Sequence, residues 1–334
     1  MFERILTVKN LVTQFNTEQG LIKPVNDVSF EIYKGKTLGI VGESGSGKSM
    51  TALSIMRLIA PPIGKIVGGN IFFEDKDLLQ LSDKEMRAIR GNKIGMIFQE
   101  PMTSLNPVFT VGYQIKEALT LHQRMSFKDA KEQTIELLKL VGIPAPEKRI
   151  YEYPHQLSGG MRQRIMIAMA LSSKPSVLIA DEPTTALDVT IQAQILELMV
   201  NLQEELNMGI ILITHDLGVV AEMCHEVAVM YGGRIVEQAS VQDLFSCPKH
   251  PYTRGLLASI PSLEVGKDHT QRRLETIKGT VPALNKLPLG CSFQDRCYNV
   301  QADCKGEKGT PPLEEKAPAH LAACFHPLND IASK

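Results

Sequence analysis

Eight residues constrain this chain more than any other stretch. Gly42-Glu43-Ser44-Gly45-Ser46-Gly47-Lys48-Ser49 matches G-x-x-x-x-G-K-[ST], the pattern of a P-loop that cradles phosphate. The run before it, Thr37-Leu38-Gly39-Ile40-Val41, is apolar and β-branched like a buried parallel strand, and Met50 to Ile59 reads as a helix stopped by Pro61-Pro62. Strand, loop and helix in that order are the context the pattern needs. Glycines let backbone N–H groups turn inward around phosphates, the helix N-terminus adds its positive end, and Lys48 carries a mobile charge to the β- and γ-phosphates. Ser49 offers a hydroxyl to Mg²⁺. The expected nucleotide contacts are therefore Gly42, Ser44, Gly45, Gly47, Lys48, Ser49 and Met50. A glycine turn without a ligand is the bland alternative, and the flanking strand and helix weigh against it.

With 334 residues the chain has the length of one large or two small domains. Lys and Arg number 36 against 37 Asp and Glu, so no broad electrostatic footprint for nucleic acid is expected. No apolar run reaches the roughly 18 residues needed to span a bilayer, and Met1-Phe2-Glu3-Arg4-Ile5 lacks the charged-then-apolar pattern of a signal peptide. The chain is expected in the cytoplasm.

The fold class expected is α/β, a parallel-sheet core of the P-loop NTPase (RecA-like) type. Alternation in the first 35 residues predicts an N-terminal antiparallel β-subdomain around the turn Glu18-Gln19-Gly20, with Gly64 to Gly69 as a glycine-rich connection to the strand Asn70 to Phe73. Helical patterns at Val111 to Leu121, at Phe127 to Val141 and from Leu157 predict an inserted helical subdomain over about 100–171. The sheet resumes at Ser176 to Glu182, then a helix at Val189 to Leu206 and a strand at Ile210 to Thr214. Glu226 to Met230 and Arg234 to Glu237 form a hairpin about Tyr231-Gly232-Gly233. A nucleotide-binding domain thus occupies 1–240, and 241–334 is a loop-rich C-terminal extension with a short helix near Tyr252 to Ser259.

Asp181 and Glu182 close a core strand at the carboxyl edge, where open α/β sheets meet their ligands. There Asp181 suits Mg²⁺ and Glu182 suits the water that attacks a γ-phosphate, although a strand-end Asp-Glu also serves as a helix cap. Gln99 and His215 each follow a core strand and offer neutral polar groups to the metal, the water or the γ-phosphate; His215 with Asp216 also fits an N-cap pair. Phe15 ends an early strand, where it either stacks on a base or fills the core. The sequence Leu157-Ser158-Gly159-Gly160-Met161-Arg162-Gln163-Arg164 exposes backbone N–H groups at a second helix start, a second anion-binding end that one nucleotide does not need.

These landmarks, in this order, resemble the ATP-binding cassette (ABC) family over residues 1 to about 240. They correspond to Walker A at Gly42 to Ser49, the Q-loop at Gln99, the signature at Leu157 to Gln163, Walker B at Val177 to Glu182, the D-loop at Ala186-Leu187-Asp188 and the H-loop at His215. Met161 stands where the signature more often has Gln. The resemblance implies ATP and Mg²⁺ as ligands, with Lys48, Gln99, Glu182 and His215 catalytic and Ser49, Gln99 and Asp181 at Mg²⁺. It also implies head-to-tail pairing, in which Ser158 and Gly160 act in trans on the nucleotide of a partner. The stretch Cys247 to Arg254, with Leu256-Leu257 and Ile260-Pro261, resembles the C-terminal extension of the oligopeptide and dipeptide importer subfamily, nickel importers included, and most closely its D-type ATPase subunits. That implies an F-type ATPase partner in a heterodimer, two membrane permeases, an external peptide-binding protein, no nucleic acid, and a peripheral place on the cytoplasmic face of the membrane. A soluble ABC ATPase acting on DNA or ribosomes is the competing class, but the chain has no basic patch or coiled-coil insertion.

Of six cysteines, Cys291, Cys297, Cys304 and Cys324 crowd near the C-terminus. Three close thiols and a distant fourth suit an iron-sulfur cube, whereas structural zinc pairs its ligands more tightly and here would draw on His320 or His326; free thiols are the third possibility. The subfamily resemblance implies a 4Fe-4S cluster, expected to staple a segment too loop-rich to form its own core.

Overall fold

A computed structural model describes residues 2–100, 104–185, 187–259, 276–306 and 308–329. Ala186 of the D-loop and the Ile260-Pro261 pair lie outside them. The chain divides into two compact units, one of Met1–Thr7, Glu31–Thr37 and Ile71–Ile213, the other of Val8–Phe30, Leu38–Asn70 and Thr214–Lys334.

In the first unit three parallel strands, β6 (Ile94–Ile97), β7 (Val177–Asp181) and β8 (Gly209–Ile213), pair with Gly95 opposite Leu178 and Ala180 opposite Leu212. Every residue of the three is buried, which is why their sequences are continuous apolar runs rather than alternating ones. Between β6 and β7 the chain is helical, as its periodicity predicts, with α3 (Val111–Gln123), α4 (Phe127–Leu140), α5 (Pro146–Arg149) and α6 (Gly159–Leu171). Side-chain hydroxyls of Thr110, Ser126 and Ser158 cap α3, α4 and α6 by accepting from Tyr113, Asp129 and Met161 N–H groups. The helix α7 (Val189–Leu206) starts on the carboxylate of Asp188 and stops where Asn207 adopts φ 49°, a conformation Asn tolerates. A short capping-box helix, α2 (Asp83–Ile89), precedes β6.

In the second unit β3 (Thr37–Val41) leads into the P-loop and α1 (Lys48–Ile55), four residues shorter at its end than the apolar pattern predicts. β1 (Arg4–Thr17) and β2 (Gly20–Tyr33) are antiparallel here, tied by Asn10 to Asp27 at 2.8 Å and Asn10 N–H to Ser29 at 2.8 Å. The glycine-rich connection expected at Gly64 to Gly69 is part of a strand, β4 (Gly64–Phe73), while the two-residue β5 (Lys76–Asp77) belongs to the first unit. Backbone pairing overrides the poor strand preference of glycine, as in the Asn16 N–H that donates to the Ile63 carbonyl at 2.8 Å. β9 (Glu226–Tyr231) runs parallel to β3 and forms the predicted hairpin with β10 (Arg234–Ser240). α8 (Leu217–Met223) precedes β9; α9 (Val241–Ser246) and α10 (Pro251–Ala258) follow β10.

The C-terminal extension is more ordered than its loop-like texture implies, because β11 (Glu314–Ala317) and β12 (His320–Ala322) add two antiparallel strands beyond β10. The join is pinned by Glu237, whose side chain is fully buried and accepts from the Lys249 N–H, the His250 N–H at 2.9 Å and the His320 ring at 2.6 Å. Burial holds the His250 pKa down to about 4, so its neutral Nδ1 accepts from the Tyr252 N–H at 3.0 Å and caps α10. Replacing Glu237 with Ala strands two buried N–H groups and an imidazole. The expected cost is about 3 kcal/mol, read as a lower denaturation midpoint, with Glu237→Gln losing less.

Candidate nucleotide site and cysteine site

The second unit carries the phosphate cradle. β3 delivers Gly42 at its carboxyl end, and α1 begins at Lys48 with Gly47 in the N-cap position and no side chain capping the first turn, so its N–H groups face a ligand position. Lys48 is buried, and its Nζ donates to the Gly42 carbonyl at 2.8 Å and the Glu43 carbonyl at 3.1 Å. Ser46 Oγ is buried without a hydrogen-bond partner, as a group lining a polar ligand would be. An uncapped helix, a buried cation and an orphaned hydroxyl fit a polyphosphate. His215 borders the same loop, lining a cavity of about 310 Å³ with Gly42, Glu43, Asp216, Leu256 and Ser259. Phe15 is half-buried, and its ring lies where a Cβ on Gly64 would stand, 2.5 Å from the ring edge. The ring thus packs on the glycine that opens β4, the packing role of the two that the sequence left open.

The first unit carries the carboxylates. Asp181 ends β7 and is buried, whereas Glu182, half-buried, turns into a left-handed φ of 47° with its N–H bonded to the Ile213 carbonyl at 2.8 Å. That turn aims the carboxylate of Glu182 at Gln99, whose Nε2 donates to it at 3.0 Å, and at Thr185, whose Oγ1 donates at 2.9 Å. Gln99 and Glu182 are far apart in sequence yet meet in space. Thr185 had no sequence signal beyond its place three residues after the carboxylate. Ser158 and Gly159 are exposed at the start of α6, and a Cβ on Gly159 would meet nothing within 4 Å. The neighbouring Gln163 donates to the Pro183 carbonyl, linking the signature helix to the segment after Glu182.

The four late cysteines line one cavity of the second unit with His250, Asn299 and His326. Burial first, and then the neighbouring cysteines, push the Cys291 thiol up to about 11 and the Cys324 thiol up to about 12. Thiols that resist ionisation beside one another are the donor set a metal centre would deprotonate and neutralise. Of the two histidines that the zinc alternative would use, His326 lines this cavity and bonds Asp303 at 2.7 Å, whereas His320 is committed to Glu237. Cys224, raised to about 12 by burial alone, packs beside Gly39 and is a core thiol.

Gly47 adopts φ 109°, and a Cβ there would stand 2.0 Å from the Pro24 carbonyl oxygen; Gly45, at φ 78°, has open space. Gly47→Ala should therefore destabilise the chain by clearly more than about 1 kcal/mol and abolish nucleotide binding, while Gly45→Ala costs less. Thermal unfolding and binding of a fluorescent ATP analogue check both.

Two family models match, ABC transporter over residues 25–185 and oligopeptide/dipeptide transporter, C-terminal region, over residues 236–304. The dipeptide transport ATP-binding protein DppD of Bacillus subtilis is 52% identical over 97% of this chain and 95% of its own length. The oligopeptide transport ATP-binding protein OppD of the same organism is 54% identical over 97% of this chain and 90% of its own length. Among solved structures, the dimeric ATP-binding cassette MJ0796 bound to ADP and Pi is 29% identical with a TM-score of 0.64, covering 71% of this chain and 98% of that one. The chain therefore belongs to the ABC ATPases and, within them, to the ATP-binding subunits of oligopeptide and dipeptide transporters.

Proposed function

We propose that this chain is one of two ATPase subunits that power import of di- or oligopeptides from the cytoplasmic face of a membrane. The observation that carries the reading is the pairing of an ABC cassette with the C-terminal region of peptide transporters in one chain, at more than half identity to peptide transport ATPases. No helix among the described residues is long and apolar enough to cross a membrane, and the peptide transporter relatives support separate membrane permeases as partners. Val108, Phe109, Tyr113, Tyr151 and Tyr153 form an exposed apolar set in the helical region of the first unit, Phe109 and Tyr113 stacked at 4.8 Å, and this supports a permease seat there. The second ATPase is an F-type subunit, and an external binding protein supplies the peptide. Residues 1–240 form the nucleotide-binding domain, with the helical subdomain at about 100–171, and 241–334 the extension.

In the proposed mechanism the cradle of Gly42 to Ser49, with Met50 behind it, binds the phosphates of ATP and Phe15 stacks on the base. Ser49, Gln99 and Asp181 would hold Mg²⁺, which would supply charge neutralisation of the phosphates. Glu182 accepts a proton from the attacking water, and its bonds to Gln99 and Thr185 fix the direction of the carboxylate. His215 donates to the γ-phosphate. The exposed Ser158, with Gly160 behind it, completes the site of the partner subunit; Val189, 84% exposed at the start of α7, supports a second chain on this side of the unit.

The cysteine cavity is read as the seat of a 4Fe-4S cluster that staples the extension. Cys291, Cys297, Cys304 and Cys324 would hold the cube, a reading supported by their place around one cavity and by three close thiols and a distant fourth in the sequence.

Glu182→Gln should keep ATP binding and lower turnover by at least about 100-fold; near wild-type hydrolysis would remove Glu182 as the base. Elemental analysis of the purified chain should find iron and sulfide, both reduced in Cys304→Ser, and zinc without iron would refute the cluster. An affinity pull-down from membranes should recover a second ATPase and two permeases. Recovery of nucleic acid instead would sink the importer reading.

A further inference from the structure

Glu43 is an anomaly in a loop built for anions, because a carboxylate beside the phosphates opposes them. It is gripped from the C-terminal region. Arg296 donates from Nη1 to Glu43 Oε2 at 2.6 Å and from Nη2 to Glu43 Oε1 at 2.9 Å, a bidentate pair. The Arg296 side chain is 4% exposed and that of Glu43 31%, so the pair is shielded on the arginine side. Arg296 is itself fixed, its Nε donating to the Lys278 carbonyl at 3.0 Å and Nη2 to the Gly279 carbonyl at 3.3 Å. The main chain of Glu43 is held as well: its N–H donates to the Tyr252 hydroxyl at 2.9 Å, and its carbonyl accepts from Lys48 Nζ at 3.1 Å.

We propose that Arg296 and Tyr252 are positioning residues of the nucleotide site, acting through Glu43 to neutralise its carboxylate, turn it from the phosphates and fix the first turn of the P-loop. Arg296 directly precedes Cys297, and Tyr252 lies in α10, so the extension contributes to ATP binding from outside the cassette motifs. The inference rests on the P-loop taking ATP.

The test is titration of the full-length chain with a non-hydrolysable ATP analogue and Mg²⁺, alongside thermal unfolding and metal content for each variant. Arg296→Ala should bind about tenfold more weakly, with Arg296→Lys intermediate. Glu43→Ala, which removes the hold and the charge together, should lose only about threefold. The double variant should match Glu43→Ala and bind better than Arg296→Ala alone, a rescue that a merely structural arginine would not give. Losses that multiply in the double variant overturn the proposal. If Arg296→Ala fails to fold, Glu43→Ala and Tyr252→Phe carry the test, and wild-type affinity in both overturns it. Failure of the wild-type chain to bind the analogue, or undiminished binding by Lys48→Ala, would count against the nucleotide reading instead.

Discussion

A strand buried on both faces can place a reactive polar group only at its ends, and this constraint organises the chemistry of the chain. β3, β7 and β8 have all five residues buried, so each is apolar to its last position or the one before it. The polar residues then follow at once: Gly42 and the phosphate loop after β3, Asp181 and Glu182 at the end of β7, Thr214 and His215 after β8. Because the strands are close-packed, the loops start from fixed points, and small groups such as the Glu182 carboxylate can be aimed to within a hydrogen-bond length. The left-handed turn at Glu182 is local strain of the kind held by surrounding structure at functional sites, here through the bond of its N–H to Ile213.

The C-terminal extension obeys the same logic with charge in place of packing. It has few apolar runs, yet it is seated by buried ionic groups whose every strong donor is answered. Glu237 receives three donors where β10 meets the extension, and Arg296 spends its guanidinium on Glu43 and two carbonyls. A buried charge left unpartnered is costly, so each group permits essentially one arrangement of the chain around it. Around these anchors Tyr231 packs edge to face on Tyr252 and Phe293, which are tilted to each other, with centroids 4.8 to 5.3 Å apart, a small aromatic core where the sequence has the texture of loops.

Motifs confined to contiguous residues are legible in the amino-acid sequence. The phosphate loop, the carboxylates after an apolar strand, the Ser-Gly-Gly helix start and the hairpin at Gly232-Gly233 each depend on local chemistry, and each stands where its pattern predicts. Element ends are less legible: α1 stops at Ile55, and the chain turns away through Arg57 at φ 49°, with the Leu58 N–H donating back to the Leu53 carbonyl at 2.8 Å, although apolar residues continue. Partners far apart in sequence are not legible at all. Nothing in Gln99 names Glu182, nothing in Arg296 names Glu43, and His320 reads as a metal ligand until Glu237 takes it.

The amino-acid sequence by itself determined the phosphate loop at Gly42 to Ser49 and the second helix start at Ser158, because both follow from backbone chemistry at short range. Only the tertiary structure decided which side chains hold those motifs in place. Pairs such as Arg296 with Glu43 and His320 with Glu237 arise when burial removes water as a competing partner, and burial is a property of the folded chain, not of any stretch of it.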